Sequence, residues 1–135
     1  MMTLECENSK ISCSMSYPAF SDFRTDIAYL CGKGYGTCYN RMKEIYFNNK
    51  SDFFRLADRL EKIRISENVS SNIHDFLLMS DSDGRLSNEV CKELLFLVQK
   101  LPDKEYGVGD RVCEKRQIEI ILLECIASNS DLIWF

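Results

Sequence analysis

Histidine is nearly missing from this chain: His74 is the only one in 135 residues. A zinc site would therefore rest on cysteines at ligand spacing, yet no Cys-x-x-Cys pair occurs. The closest pairs, Cys6/Cys13 and Cys31/Cys38, are seven residues apart. A histidine relay is equally thin, because Asp75 follows His74 directly and would point about 100° away on a helix; His74 reads as a surface or cap residue. There is no Gly-x-Ser-x-Gly elbow, and Gly32-Lys33-Gly34-Tyr35-Gly36 lacks the spacing of a phosphate cradle. These absences leave no catalytic constellation, no metal ligand set and no cofactor motif, so the chain is expected not to be an enzyme. Long apolar runs are missing too. No stretch approaches the ~18 residues of a membrane span, and Met1 to Lys10 is polar and acidic, unlike a secretory signal. The expectation is a cytoplasmic protein without a membrane partner.

Basic charge is in deficit: 17 Lys and Arg stand against 21 Asp and Glu, a net charge of −4 with a pI near 5.1. That argues against direct nucleic-acid binding, which needs a basic face. It suits a partner with a positive surface, since complementary charge steers association.

What is present is an ordinary globular composition, 45% hydrophobic and 28% charged. The whole span 1–135 reads as one domain. Ile11, Cys13, Met15 and Tyr17 alternate with polar residues, the period of a half-buried strand. Pro18 suits the first turn of a helix carrying Phe20, Phe23, Ile27 and Leu30, with Gly32 closing it. Gly32–Gly36 reads as a loop exposing Tyr35. Tyr39, Met42, Ile45 and Tyr46 predict a short helix that breaks at Asn48-Asn49, and Ser51 could cap the next, striped by Phe53, Phe54, Ala57, Leu60 and Ile63. Further helices follow around Ile73–Leu77, from Val90 to a stop at Pro102, and through Ile118–Ile126, where Ile120 and Leu123 suggest burial on more than one side. Asp103–Asp110 reads as a loop with two glycines. Leu132-Ile133-Trp134-Phe135 is too apolar for a free tail and could pair with Ile11–Tyr17 or dock into the core. The fold class is α+β, predominantly α: about six helices around one core, with a small two-stranded sheet formed by the chain termini. The seven cysteines are odd in number and irregular in spacing, and read as reduced thiols, mostly buried.

The densest signal is Ser80-Asp81-Ser82-Asp83-Gly84-Arg85-Leu86-Ser87. Setting Gly84 at position 6 of an EF-hand loop places Asp81 and Asp83 at positions 3 and 5, but Met79 and Val90 fall at 1 and 12. Neither offers a side-chain oxygen, and Glu89 lies one residue short. An acidic turn explains the stretch better, with Gly84 at positive φ and Ser87 capping the next helix.

This stretch, with Phe76 to Met79 before it and Cys91 and Leu94-Leu95 after it, resembles the core Leu-x-Ser-Asp-x-Asp-Gly-x-[Ile/Leu]-Ser-x-x-x-Cys-x-x-Leu of small bacterial immunity-type proteins that accompany polymorphic, contact-dependent growth inhibition toxins. Tyr17-Pro18-Ala19-Phe20-Ser21-Asp22-Phe23-Arg24 with Ile27-Ala28 is similar to their N-terminal segment, and Asp131–Phe135 to their apolar tail; Gly32 to Ser70 matches no motif. The resemblance implies an antitoxin-like inhibitor that binds a cognate secreted nuclease toxin, an RNase or tRNase with a basic cleft, and occludes its active site. The residues nominated for partner binding are Tyr35, Asp75, Asp81, Asp83, Glu89, Asp103, Glu105, Tyr106 and Asp110: carboxylates for the cleft's cations and two tyrosines as aromatic anchors. The alternative is a non-enzymatic structural adaptor of phage or bacterial origin, and behind it a degenerate calcium-binding module.

Overall fold

The computed structural model describes residues 1–46 and 48–135. The elements run β1 (Met2–Cys6), β2 (Ser12–Met15), α1 (Tyr17–Cys31), α2 (Lys33–Ile45), α3 (Lys50–Ser66), α4 (Ser71–Leu77), β3 (Gly84–Leu86), α5 (Asn88–Val98), β4 (Glu105–Val108), β5 (Arg111–Glu114), α6 (Lys115–Ala127) and β6 (Leu132–Trp134). The class is α+β and mostly helical, as the periodicity predicts.

The sheet is larger than expected. Four antiparallel strands lie in the order β2-β1-β6-β3, with Leu4 opposite Trp134 and Trp134 opposite Gly84. The termini do meet: Thr3 N–H donates to Phe135 O at 2.8 Å. But β6 pairs with β1 and β3, not with the Ile11–Tyr17 strand, which lies on the far side of β1. Met2, Leu4 and Cys6 are buried on one face of β1 while Thr3 and Glu5 are half-buried on the other, so its polar composition hid a true period of two. Asp103–Asp110 is likewise no simple loop. It holds β4 of the β4–β5 hairpin, whose two-residue connection starts at Gly109 with φ of +66°, a conformation glycine enters freely.

Local chemistry sets the helix ends. Ser16 accepts from Ala19 N–H and Ser87 from Val90 N–H, as caps should. The cap of α3 is Asn49 rather than Ser51. Asn68 and Asn129 close α3 and α6 in the left-handed region, with Val69 N–H reaching Arg64 O and Ser130 N–H reaching Cys125 O. Helix α2 starts where a loop is expected, at Lys33. It has no local side-chain cap; instead the distant Glu67 carboxylate accepts from Gly34 and Tyr35 N–H at 3.0 and 3.1 Å. Gly36 is required because a Cβ there would lie 2.7 Å from Tyr29 Cα, where α1 and α2 cross.

The core gathers Phe20, Phe76 and Trp134, with ring centroids 5.7–6.3 Å apart, and Phe23 edge-on to Tyr106. Gly84 is not at positive φ; it is a strand residue whose absent Cβ leaves room for the Trp134 indole. Phe54 on α3, and Ile120 and Leu123 on α6, are exposed rather than packed. Nor are all seven cysteines reduced. Cys13 and Cys113 form a disulfide that ties β2 to β5 across a Cα–Cα distance of 5.7 Å, while Cys6, Cys38, Cys91 and Cys125 are buried free thiols and Cys31 is a half-buried one. Spacing in sequence could not reveal a pair 100 residues apart.

Candidate functional site: a braced acidic turn

Helix α4 ends at Leu77, and the chain must reverse to enter β3. The reversal is held by Arg24, which lies on the buried stripe of α1 four residues after Phe20. The residue is only 5% exposed, and its guanidinium donates to Phe76 O at 3.2 Å, to Met79 O at 2.8 Å and to the Asp81 carboxylate. It also stacks 4.6 Å from the Phe20 centroid. A buried guanidinium is tolerated only when its donors are met, and here the turn meets them. Nε alone has no partner among the described residues. A second brace comes from the sheet: Trp134 Nε1 donates to Ser80 O at 2.9 Å. Ser80 Oγ and Ser82 Oγ, 2.9 Å apart, tighten the turn itself.

The consequence is a turn fixed at Met79, Ser80 and Asp81, with Asp83 exposed beyond it. Among the described residues the only side-chain partner of Asp83 is Ser82 Oγ at 3.4 Å, and Asp83 forms no ion pair. Asp81 is different: Arg24 neutralises its charge and claims one carboxylate oxygen. That commitment, added to Met79 and Val90 at ligand positions, leaves the stretch poorly suited to calcium. No group of three or more His, Cys, Asp or Glu residues is arranged to hold a metal among the described residues.

Beside the turn, a cleft of about 540 Å³ opens between α1, α2 and the Leu78–Ser82 segment. Lys43 sits in its wall, donating to Ser21 O at 3.0 Å and to Thr25 Oγ1. Desolvation holds its ammonium below the usual lysine range, with Asp22 pulling the other way. Tyr39, whose hydroxyl donates to Leu77 O at 3.1 Å, is pushed up to about 12 by burial. Tyr46 and Leu78 line the same cleft, 51% and 47% exposed.

The nominated residues scatter. Tyr35 is fully buried on α2, not displayed on a loop. Its hydroxyl lies 2.7 Å from His74 Nδ1, and His74 Nε2 lies 3.0 Å from Glu61, which Arg64 grips through two bonds. His74 is therefore a core link between α2, α3 and α4 rather than a surface residue. Both ring nitrogens are engaged, so none is left for a substrate. Tyr106 is buried on β4, its hydroxyl donating to Asp26 at 2.7 Å. Neither tyrosine can serve as an aromatic anchor as it stands. Glu89 pairs with Lys92 in the first turn of α5. Asp75, Asp103, Glu105 and Asp110 are exposed; Asp103 and Glu105 border a mixed-charge hollow with Lys104, Lys115 and Arg116, and Asp110 tips the hairpin.

Sequence reasoning missed Arg24, Lys43, Tyr46 and Leu78. Arg24 carried a usable signal, an arginine inside an apolar stripe that demands a carboxylate and carbonyls from elsewhere. The others depend on how α2 packs, which no local pattern announces. No protein-family model, curated protein or solved structure matches the chain. Among the described residues no helix is long and apolar enough to cross a membrane.

Proposed function

We propose that this chain is an immunity-type protein that binds a cognate secreted nuclease toxin, a basic ribonuclease, and occludes its active site within the cytoplasm of the producing cell. The observation that carries the reading is the double brace on the acidic turn. Arg24 and Trp134 hold its backbone, so Asp83 is presented without loop ordering to offset on binding, and preorganisation of that kind is what tight inhibitors use. Tyr46 and Leu78, exposed at the adjacent cleft, take the anchor role that the buried Tyr35 and Tyr106 cannot fill. Asp83 meets one of the arginines or lysines that a nuclease aims at phosphate.

Co-expression with the product of the adjacent gene is the test. Protection from that product's toxicity is the expected result, and a purified complex should dissociate at nanomolar concentration or below, with association slowing as salt rises. Asp83→Lys should weaken the complex without disturbing the fold. Asp81→Lys is a poorer probe, because it leaves Arg24 buried beside a like charge. A non-toxic neighbour, or toxicity that persists beside this protein, would replace the reading with that of a structural adaptor.

A further inference from the structure

The outer faces of α2 and α3 form a groove that the acidic turn does not touch. It encloses about 900 Å³, and its rim carries Lys33 and Arg41 from α2 and Arg55 and Arg59 from α3. The one carboxylate on that rim, Asp52, is paired with Arg55. Lys33, Arg41 and Arg59 form no ion pair among the described residues. In a chain of net charge −4 this is a local reversal of sign. The groove is not simply polar: Ile45, Leu56 and Ile63 supply an apolar strip between the cations.

The spacing explains the shape. Lys33, Thr37, Arg41 and Ile45 recur every four residues along α2, and Asp52, Leu56, Arg59 and Ile63 follow at i, i+4, i+7 and i+11 on α3. Each set makes one continuous stripe of its helix. The core-facing stripe of α2, with Tyr35, Tyr39 and Met42, lies on the other side of that helix. Helix α3 fully buries only Leu60 and packs chiefly on α2; Leu56 and Ile63 rest partly on the core, while Arg55 and Arg59 beside them are exposed.

We propose that this groove is a second interaction site, and that its occupant is an acidic amphipathic helix of a partner protein. An apolar strip flanked by unpaired cations is the complement of a helix with an apolar stripe edged by carboxylates. Phosphate-bearing chains match the rim but not the strip. Helix α2 sets the length, as its 13 residues span about 20 Å.

The probe is a synthetic peptide of about 15 residues with leucines on a helical stripe and glutamates on both flanks. Titrated into isotopically labelled protein, it should shift amide resonances on α2 and α3 and leave Ser80–Asp83 unmoved. Arg41→Glu with Arg59→Glu should weaken its binding at least about tenfold while circular dichroism stays unchanged, and replacing the peptide's glutamates by glutamine should do the same. Binding that survives the double variant, or no binding at all, overturns the proposal. A uridine oligonucleotide that binds more tightly than the peptide would assign the groove to nucleic acid. Self-association lost in the double variant would assign it to a second copy. Either result overturns the helix.

Discussion

Helix α1 buries six of its 15 residues, whereas α3, at 17, buries Leu60 alone. The difference divides the molecule. On one side α1, α4 and the four-stranded sheet converge on Phe20, Phe76 and Trp134, and each constrains the others through Arg24 and Gly84. On the other side α3 leans on α2, tied by side-chain links: Glu67 over the start of α2, and the chain Tyr35–His74–Glu61–Arg64. Two elements with similar apolar striping thus end in unlike places. A stripe says that one face can be buried, and the rest of the chain decides how much is available to cover it.

The largest effect that can break this contrast is expected at its centre. Trp134→Ala should destabilise the fold by about 3–5 kcal/mol, through lost apolar contact, a cavity and an orphaned Ser80 carbonyl. Gly84→Val should approach that loss by pushing the indole out of place. Urea unfolding measures both, and a loss below about 1 kcal/mol for Trp134→Ala would mean that the aromatic centre does not carry the fold.

Next comes the disulfide, which ties the β4–β5 hairpin to the sheet. Cys113→Ser should lower stability by about 3 kcal/mol, because the bond closes a long loop in the unfolded chain. Alkylation without reductant should label five thiols in the unfolded protein, in keeping with the five free cysteines; seven labels would show that the bond does not form.

The α2–α3 side should instead reveal itself through pH. His74 faces Tyr35 from α2 and Glu61 and Arg64 from α3, with Asp75 beside it on α4; desolvation depresses its pKa more than Glu61 restores it. The unfolded chain therefore takes up the proton first. Stability is fully present above the ordinary histidine value of about 6.5 and declines as pH falls through it. His74→Gln should flatten the thermal-midpoint profile between about pH 7 and 5; an unchanged slope would remove His74 as its source. Glu61, held below the usual carboxylate range chiefly by Arg64, acts only at lower pH.

The smallest effect should be Phe54→Ser. At 65% exposed, Phe54 should shift unfolding by no more than about 0.5 kcal/mol. A loss several times larger would show that the outer side of α3 is covered in solution.

Helix positions from Phe20 to Ile27 and from Ile118 to Ile126 were legible because their apolar spacing repeats over enough turns to leave one orientation. The start of α2 was not. Three glycines in five residues argue for a loop on propensity, and only Glu67, more than thirty residues away, supplies the cap. The strand at Gly84–Leu86 was hidden in the same manner, since three residues show no period and pair only because β6 arrives beside them. Of the candidate site, the acidic turn itself stood out, while its braces and its apolar neighbours did not.

The sequence by itself determined the class of fold, most helix ends and the location of an acidic turn before Ser87, because periodicity, capping and turn chemistry act over a few residues. The tertiary structure decided that Tyr35 and Tyr106 are interior, that Asp81 is spent on Arg24 while Asp83 forms no ion pair among the described residues, that Cys13 meets Cys113, and that cations of α2 and α3 share a groove. Each of these depends on contacts between residues distant in the chain. Such contacts follow from how whole faces are covered, and no local pattern encodes which face finds which.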